Sequence, residues 1–184
     1  MILRHIVVLE LTNADYISEI HSRLNQLLKK IPGCLSFNLN TTKSNKSTFA
    51  CFQMDFDNSI TLNIYLEHIE HQFIVNELIT PNLVNGISSV AVLDYFERSN
   101  TVDGTRHKFI KYIFLNASRD VSDLIELLAV FPDKTNALFV KNNSQEDVAK
   151  AYPVVLKLYL EGELDLNSDV ALVASFIYKN TVKQ

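Results

Sequence analysis

The sequence predicts an α+β fold with element order β-α-β-β-α-β over residues 1–97, followed by a stretch that begins to repeat the same order. Three observations predict it. Ile2–Leu11 is apolar at nearly every position, as in a strand covered on both faces. Ile17, Ile20, Leu24, Leu27 and Leu28 then recur at helical spacing and form one apolar stripe. Two further strand-like runs follow before the next helical segment, each bounded by turn-forming residues.

The elements follow in order. Thr12 and Asn13 offer an N-cap to the first helix, with Asp15 in its first turn. Pro32-Gly33 ends that helix. Leu35–Asn40 reads as a second strand, and the polar run Thr41–Ser47 as a loop. Phe49, Cys51, Gln53 and Asp55 alternate with Ala50, Phe52, Met54 and Phe56 in a third strand. Asp57, Asn58 and Ser59 cap a second helix, which runs over Ile60–Leu66 and resumes over Phe73–Leu78. Pro81 and Gly86 punctuate the exit, and Ser89–Glu97 is a fourth strand. Helices in this order cover one sheet face. The other face is also apolar, and a second sheet is the natural cover for it.

Composition narrows the function classes. The chain has 184 residues, 47% of them hydrophobic, so a sizeable core can be buried. The net charge is −4 and no block of Lys or Arg occurs, so the electrostatic footprint of a nucleic-acid binder is missing. No apolar run reaches the roughly 18 residues of a membrane span. The opening Met-Ile-Leu-Arg-His-Ile-Val-Val-Leu-Glu carries a charged pair and no small-residue cleavage site, and reads as a strand, not a signal peptide. Cys34 and Cys51 have neither metal-ligand spacing nor a disulfide framework. They read as buried thiols in a reducing, cytoplasmic setting.

Residues 98–105 form a polar linker, and 106–184 read as a degenerate second copy. Phe109–Leu115 is its first strand, with Lys111-Tyr112 where the first half has Arg4-His5. Asp120–Phe131 is a shorter helix stopped by Pro132; Ala137–Val140 and Tyr152–Leu160 are strands. Asp169–Tyr178 is almost wholly apolar, and its β-branched and aromatic content favours strand over helix. With its only histidine at position 107, this half reads as a structural partner.

The residues that carry chemistry lie in the first half. His5 interrupts an apolar strand. It is either a core histidine hydrogen-bonded while neutral or a pocket group. Tyr65, His68 and His71 are spaced i, i+3, i+6. On a continuous helix Tyr65 and His68 share a face, as do His68 and His71, while Tyr65 and His71 drift apart; a break after Leu66 changes this. The bland reading is a cluster serving helix ends. If His5 and His71 converge, the chemistry is acid/base: an imidazole takes a proton next to a carbonyl that the Tyr65 hydroxyl polarises. No nucleophile triad, phosphate loop or dinucleotide fingerprint supports another reaction, and no metal or cofactor is expected.

The ordered set R-H-I-V-V-L, I-P-G after the first helix, Y-x-x-H-x-x-H over Tyr65, His68 and His71, the following Phe73 and the closing V-L-D-Y-F resembles the stress-responsive dimeric α/β-barrel (Dabb) family. The resemblance covers residues 1–97. It implies a ferredoxin-like fold whose two sheets pack face to face, usually by dimerisation, around or above a cavity. In this chain it implies a tandem pseudo-dimer, with further self-association open to it. Most members have no assigned reaction, while a plant branch is a polyketide cyclase that works by aldol condensation. Matched position by position, His5 and His71 correspond to that branch's acid/base histidines, Tyr65 to its helix tyrosine, and His68 to a further family histidine. The third strand departs from the pattern: Thr48-Phe49-Ala50 stands where many members carry an aromatic, then Thr or Asp, then His. Two functions are therefore expected: a barrel protein binding a small apolar or aromatic molecule, with no role yet assigned, or a cyclase-like proton-transfer enzyme using His5, Tyr65 and His71. His68 is a further ligand-binding candidate.

Overall fold

A computed structural model describes residues 1–43, 47–97, 109–115, 136–144, 146, 154–160 and 172–177. The expected linker 98–105 and the expected helix Asp120–Phe131 lie outside the described residues. The first half contains β1 (Ile2–Leu11), α1 (Asp15–Leu28), β2 (Cys34–Lys43), β3 (Thr48–Phe56), α2 (Ser59–Glu67), α3 (Ile69–Phe73), a π-helical turn (Ile74–Ile79) and β4 (Val90–Glu97). The strands form an antiparallel sheet in the order β2-β3-β1-β4. This is the ferredoxin-like α+β arrangement.

Local chemistry accounts for the boundaries. The Asn13 side chain accepts from the Asp15 N–H at 2.9 Å just ahead of α1. Gly33 leaves the helix exit at φ +92°, a left-handed conformation that favours glycine. A Cβ there would also lie 2.6 Å from Asp57 Oδ1. Strand β2 runs three residues further than expected, to Lys43, and pairs with β3 without interruption from Ser36 to that end. Its polar end, Thr41–Lys43, lies on the sheet edge and is solvent-exposed, so it carries no apolar pattern. The second helix likewise resumes at Ile69 and not at Phe73; α3 buries none of its residues, and an unburied turn has no hydrophobic period to read.

Alternate residues of β1 serve two cores. Leu3, Leu9 and Leu11 face the helices with Ile20, Leu24 and Leu27 of α1 and with Phe52, Met54 and Phe56 of β3. Arg4, Ile6 and Val8 point to the other face, which is also buried: Ile6 and Leu93 are 0% exposed. Arg4 is accommodated there by a two-pronged pair with Asp55 at 2.7 and 3.0 Å, and Ser36 donates to the same carboxylate at 2.8 Å. The charged interruption of the first strand thus has a partner directly across the sheet, since Arg4 and Asp55 are in register.

In the second half, β5 (Phe109–Leu115), β6 (Asn136–Lys141), β7 (Val154–Leu160) and β8 (Leu172–Ile177) form another antiparallel sheet, ordered β6-β7-β5-β8. With β5 counted as the first strand, this is the order of the first sheet. Of the apolar segment Asp169–Tyr178, the described residues Leu172–Ile177 are a strand. The segment after β6 docks on the free edge of β4: the Asn142 side chain accepts from the Asp94 N–H at 3.0 Å and donates to the Val92 carbonyl at 2.7 Å, and the Asn143 N–H donates to the Asp94 carbonyl at 2.8 Å. Backbone groups that an edge strand would leave open are thereby satisfied.

Candidate functional site

The site builds from the register of β1 and β4. His5 and Asp94 are directly opposite. His5 Nδ1 lies 2.6 Å from Asp94 Oδ1, and both residues are buried. Burial alone would push the imidazole toward its neutral form. The Asp94 carboxylate outweighs this through its charge and the hydrogen bond, so the His5 pKa is raised.

Tyr65 and His71 come from the interrupted helix. The chain leaves helical geometry at His68, with φ −65° and ψ 133°. The His68 Nδ1 accepts from the Glu70 N–H at 3.1 Å and caps α3. The break swings His71 back over Tyr65, with ring centroids 4.4 Å apart. Tyr65 also meets His5 edge-on at 6.1 Å and Phe56 at 5.5 Å. His71 Nδ1 donates to the Leu66 carbonyl at 3.1 Å, which leaves Nε2 as the nitrogen with a lone pair. Burial pulls the His71 pKa down to about 4, with the neighbouring imidazoles His5 and His68 adding to that and the Leu66 carbonyl opposing it. Burial likewise pushes the Tyr65 phenol well above its ordinary range, so it stays protonated.

His5, Tyr65 and His71 line one cavity of about 210 Å³. Its walls are mainly apolar, among them Val7, Leu24, Phe52 and Met54. Of the four candidate residues, His68 is not in this lining; its ring nitrogen is engaged as a helix cap. The lining also includes Glu146, from the half that reads as a structural partner. That half therefore contributes a polar group, contrary to the sequence expectation. Nothing around Glu146 in the sequence marks it, because the link runs through Asn142 on the edge of β4. Asp94 is not among the sequence candidates either, and its one signal is a charge flanked by Leu93 and Tyr95 in an apolar strand.

Side-chain donor atoms of His5, Asp94 and Glu146 lie within 4.8 Å of one another, and such a set could hold a divalent ion. However, the 2.6 Å between His5 Nδ1 and Asp94 Oδ1 is that of a hydrogen-bonded pair. Two ligands at right angles on a common ion stand about 3 Å apart, given metal–ligand distances near 2.1 Å. The geometry as it stands suits proton sharing.

A family model for the stress responsive A/B barrel domain matches residues 3–97. The chain belongs to the Dabb family. The Dabb domain is similar to a dimeric ferredoxin-like protein of unknown function from Jannaschia sp. CCS1, at 25% identity and a TM-score of 0.47, covering 53% of this chain and 100% of that one. It is also similar to a Dabb protein with a ferredoxin-like fold from Mesorhizobium loti, at 22% identity and TM-score 0.42, covering 53% and 98%. A third is a putative antibiotic biosynthesis monooxygenase from Nitrosomonas europaea, at 10% identity and TM-score 0.45, covering 55% and 94%. No curated protein matches the chain. Among the described residues, no helix is long and apolar enough to cross a membrane.

Proposed function

We propose that this Dabb protein binds one small apolar or aromatic molecule per chain in the cavity lined by His5, Tyr65 and His71. The observation that carries the reading is convergence. Three polar groups from β1, α2 and α3 meet in a mainly apolar cavity of about 210 Å³. For scale, an engineered apolar cavity of roughly 150 Å³ admits benzene. A single ring with a short substituent therefore fits. Residues 106–184 serve as a degenerate second copy that packs on the first sheet and makes a pseudo-dimer. The shared strand order, the docking of Asn142 on β4 and the approach of β8 to β2 and β3 support this. The site is single. In the second sheet Tyr112 pairs with Ala174, so the place of the His5–Asp94 pair holds no carboxylate. A stress-associated, cytoplasmic role fits the family and the free Cys34 and Cys51. The test is calorimetric titration with single-ring compounds identified by thermal shift. One site per chain, lost in a variant that fills the cavity such as Val7→Phe, is the expected result. Two equivalent sites would refute it.

A second reading, proton transfer next to a carbonyl, is favoured by one specific observation. The cavity holds two histidines driven in opposite directions: His5 toward its protonated form and His71 toward its neutral one. Such a pair separates acid from base. His71 Nε2 would accept the proton, while Tyr65 and His5 hydrogen-bond the enolate oxygen. Hydrogen–deuterium exchange at the methyl group of acetophenone, followed by NMR, tests it. Acceleration by the wild type and its loss in His71→Ala is expected; equal rates with and without protein would exclude it.

A further inference from the structure

Glu146 is the one ionisable cavity-lining group that the two readings above leave unused. Its Oε1 is shielded from solvent and has no hydrogen-bond partner among the described residues. Such an orphan is uncommon, because a buried polar atom without a partner costs about 1–3 kcal/mol. Its position is set by a chain of contacts that leads back to β4. The Glu146 N–H donates to Ser144 Oγ at 3.3 Å, and the Ser144 N–H donates to Asn142 Oδ1 at 3.1 Å. Asn142 is in turn fastened to the Asp94 N–H and the Val92 carbonyl of β4. The carboxyl is therefore carried on a short braced segment, facing His5 and Asp94.

We propose that the Glu146 carboxyl donates a hydrogen bond to a carbonyl or phenol oxygen of the bound molecule, so that the second half of the chain selects for an oxygenated ring over a plain hydrocarbon. The inference rests on the cavity-binding reading above. Burial and the adjacent Asp94 charge raise the pKa of the carboxyl against the pull of His5, and in its protonated form it donates as well as accepts. The ligand oxygen would sit beside His5, and the ring would fill the apolar wall of Val7, Phe52 and Met54.

The test uses the full chain and two probes of nearly the same shape: acetophenone, which carries the oxygen, and ethylbenzene, which does not. Calorimetry or NMR titration should show wild type preferring acetophenone by about tenfold, the worth of one net hydrogen bond. Glu146→Leu should remove most of the preference while still binding ethylbenzene. Glu146→Gln, whose amide keeps a donor in the same place, should retain most of it and controls for folding. An undiminished preference in Glu146→Leu overturns the inference and leaves the cavity reading standing. Failure of both probes to bind wild type overturns the cavity reading and this inference with it. Stoichiometric uptake of Zn²⁺ alone that is lost in both Glu146→Gln and Asp94→Asn would make the carboxyl a metal ligand, and would also overturn it.

Discussion

Tyr65 and His71 are six residues apart in sequence, yet their rings meet at 4.4 Å because the helix breaks at His68 between them. On an unbroken helix they would point about 120° apart. At the break the Glu70 N–H donates to the His68 ring and caps the helix that follows. His68→Ala should therefore cost about 0.5–2 kcal/mol, and His68→Asp or His68→Asn should restore most of it. Urea denaturation measures the loss. An alanine variant as stable as the parent would show that the cap contributes nothing to the break.

His5 depends on Asp94 for its protonation. Asp94→Asn removes the counter-charge but keeps a hydrogen-bonding side chain of the same shape. Burial then acts on His5 unopposed by that charge, and its titration midpoint, followed by NMR, should drop below the wild-type value. Stability should fall by about 1–3 kcal/mol. An unchanged midpoint would mean that the pair does not form.

The two histidines should leave opposite marks on stability against pH. His71 has a folded-state pKa near 4, below the 6.5 of an unfolded chain. As pH falls from about 6.5 to 4, the unfolded chain takes up a proton that the folded one refuses, so stability drops, by roughly 3 kcal/mol at most. The pKa of His5 is raised above 6.5, so its contribution is present below that pH and fades as pH rises through the folded value. Chemical denaturation of wild type and His71→Asn from pH 4 to 7 should give curves that converge toward low pH. Parallel curves would contradict the assignment.

Asn142 couples the halves through two hydrogen bonds to β4, at 3.0 and 2.7 Å. Asn142→Ala should reopen the β4 edge, raise hydrogen exchange at the Asp94 amide and cost about 1–3 kcal/mol. It should also weaken any ligand preference that depends on Glu146. Exchange at Asp94 identical to wild type would show that the edge is protected by other means.

The legible part of the fold was the part whose neighbours are local. The stripe from Ile17 to Leu28 carries its helical period in its own residues because one face is buried, and the strands around His5 and Asp94 read as apolar runs because both of their faces are buried. Elements that bury little were misjudged at their ends. Thr41–Lys43 pairs by backbone alone on an exposed edge, and Ile69–Phe73 turns as a helix with no buried residue.

The sequence by itself determined the β-α-β-β-α-β order, the family, and His5, Tyr65 and His71 as the polar residues of interest. Hydrophobic periodicity and turn chemistry act over a few residues and survive in a linear string. The tertiary structure alone decided which of these groups meet. It placed Asp94 across from His5 by strand register, turned His68 into a cap and not a wall of the cavity, and brought Glu146 from the second half to within 4.8 Å of that pair. Convergence of this kind depends on register, on one broken helix and on one docked segment. Each relates residues dozens of positions apart, and no local pattern records such a distance.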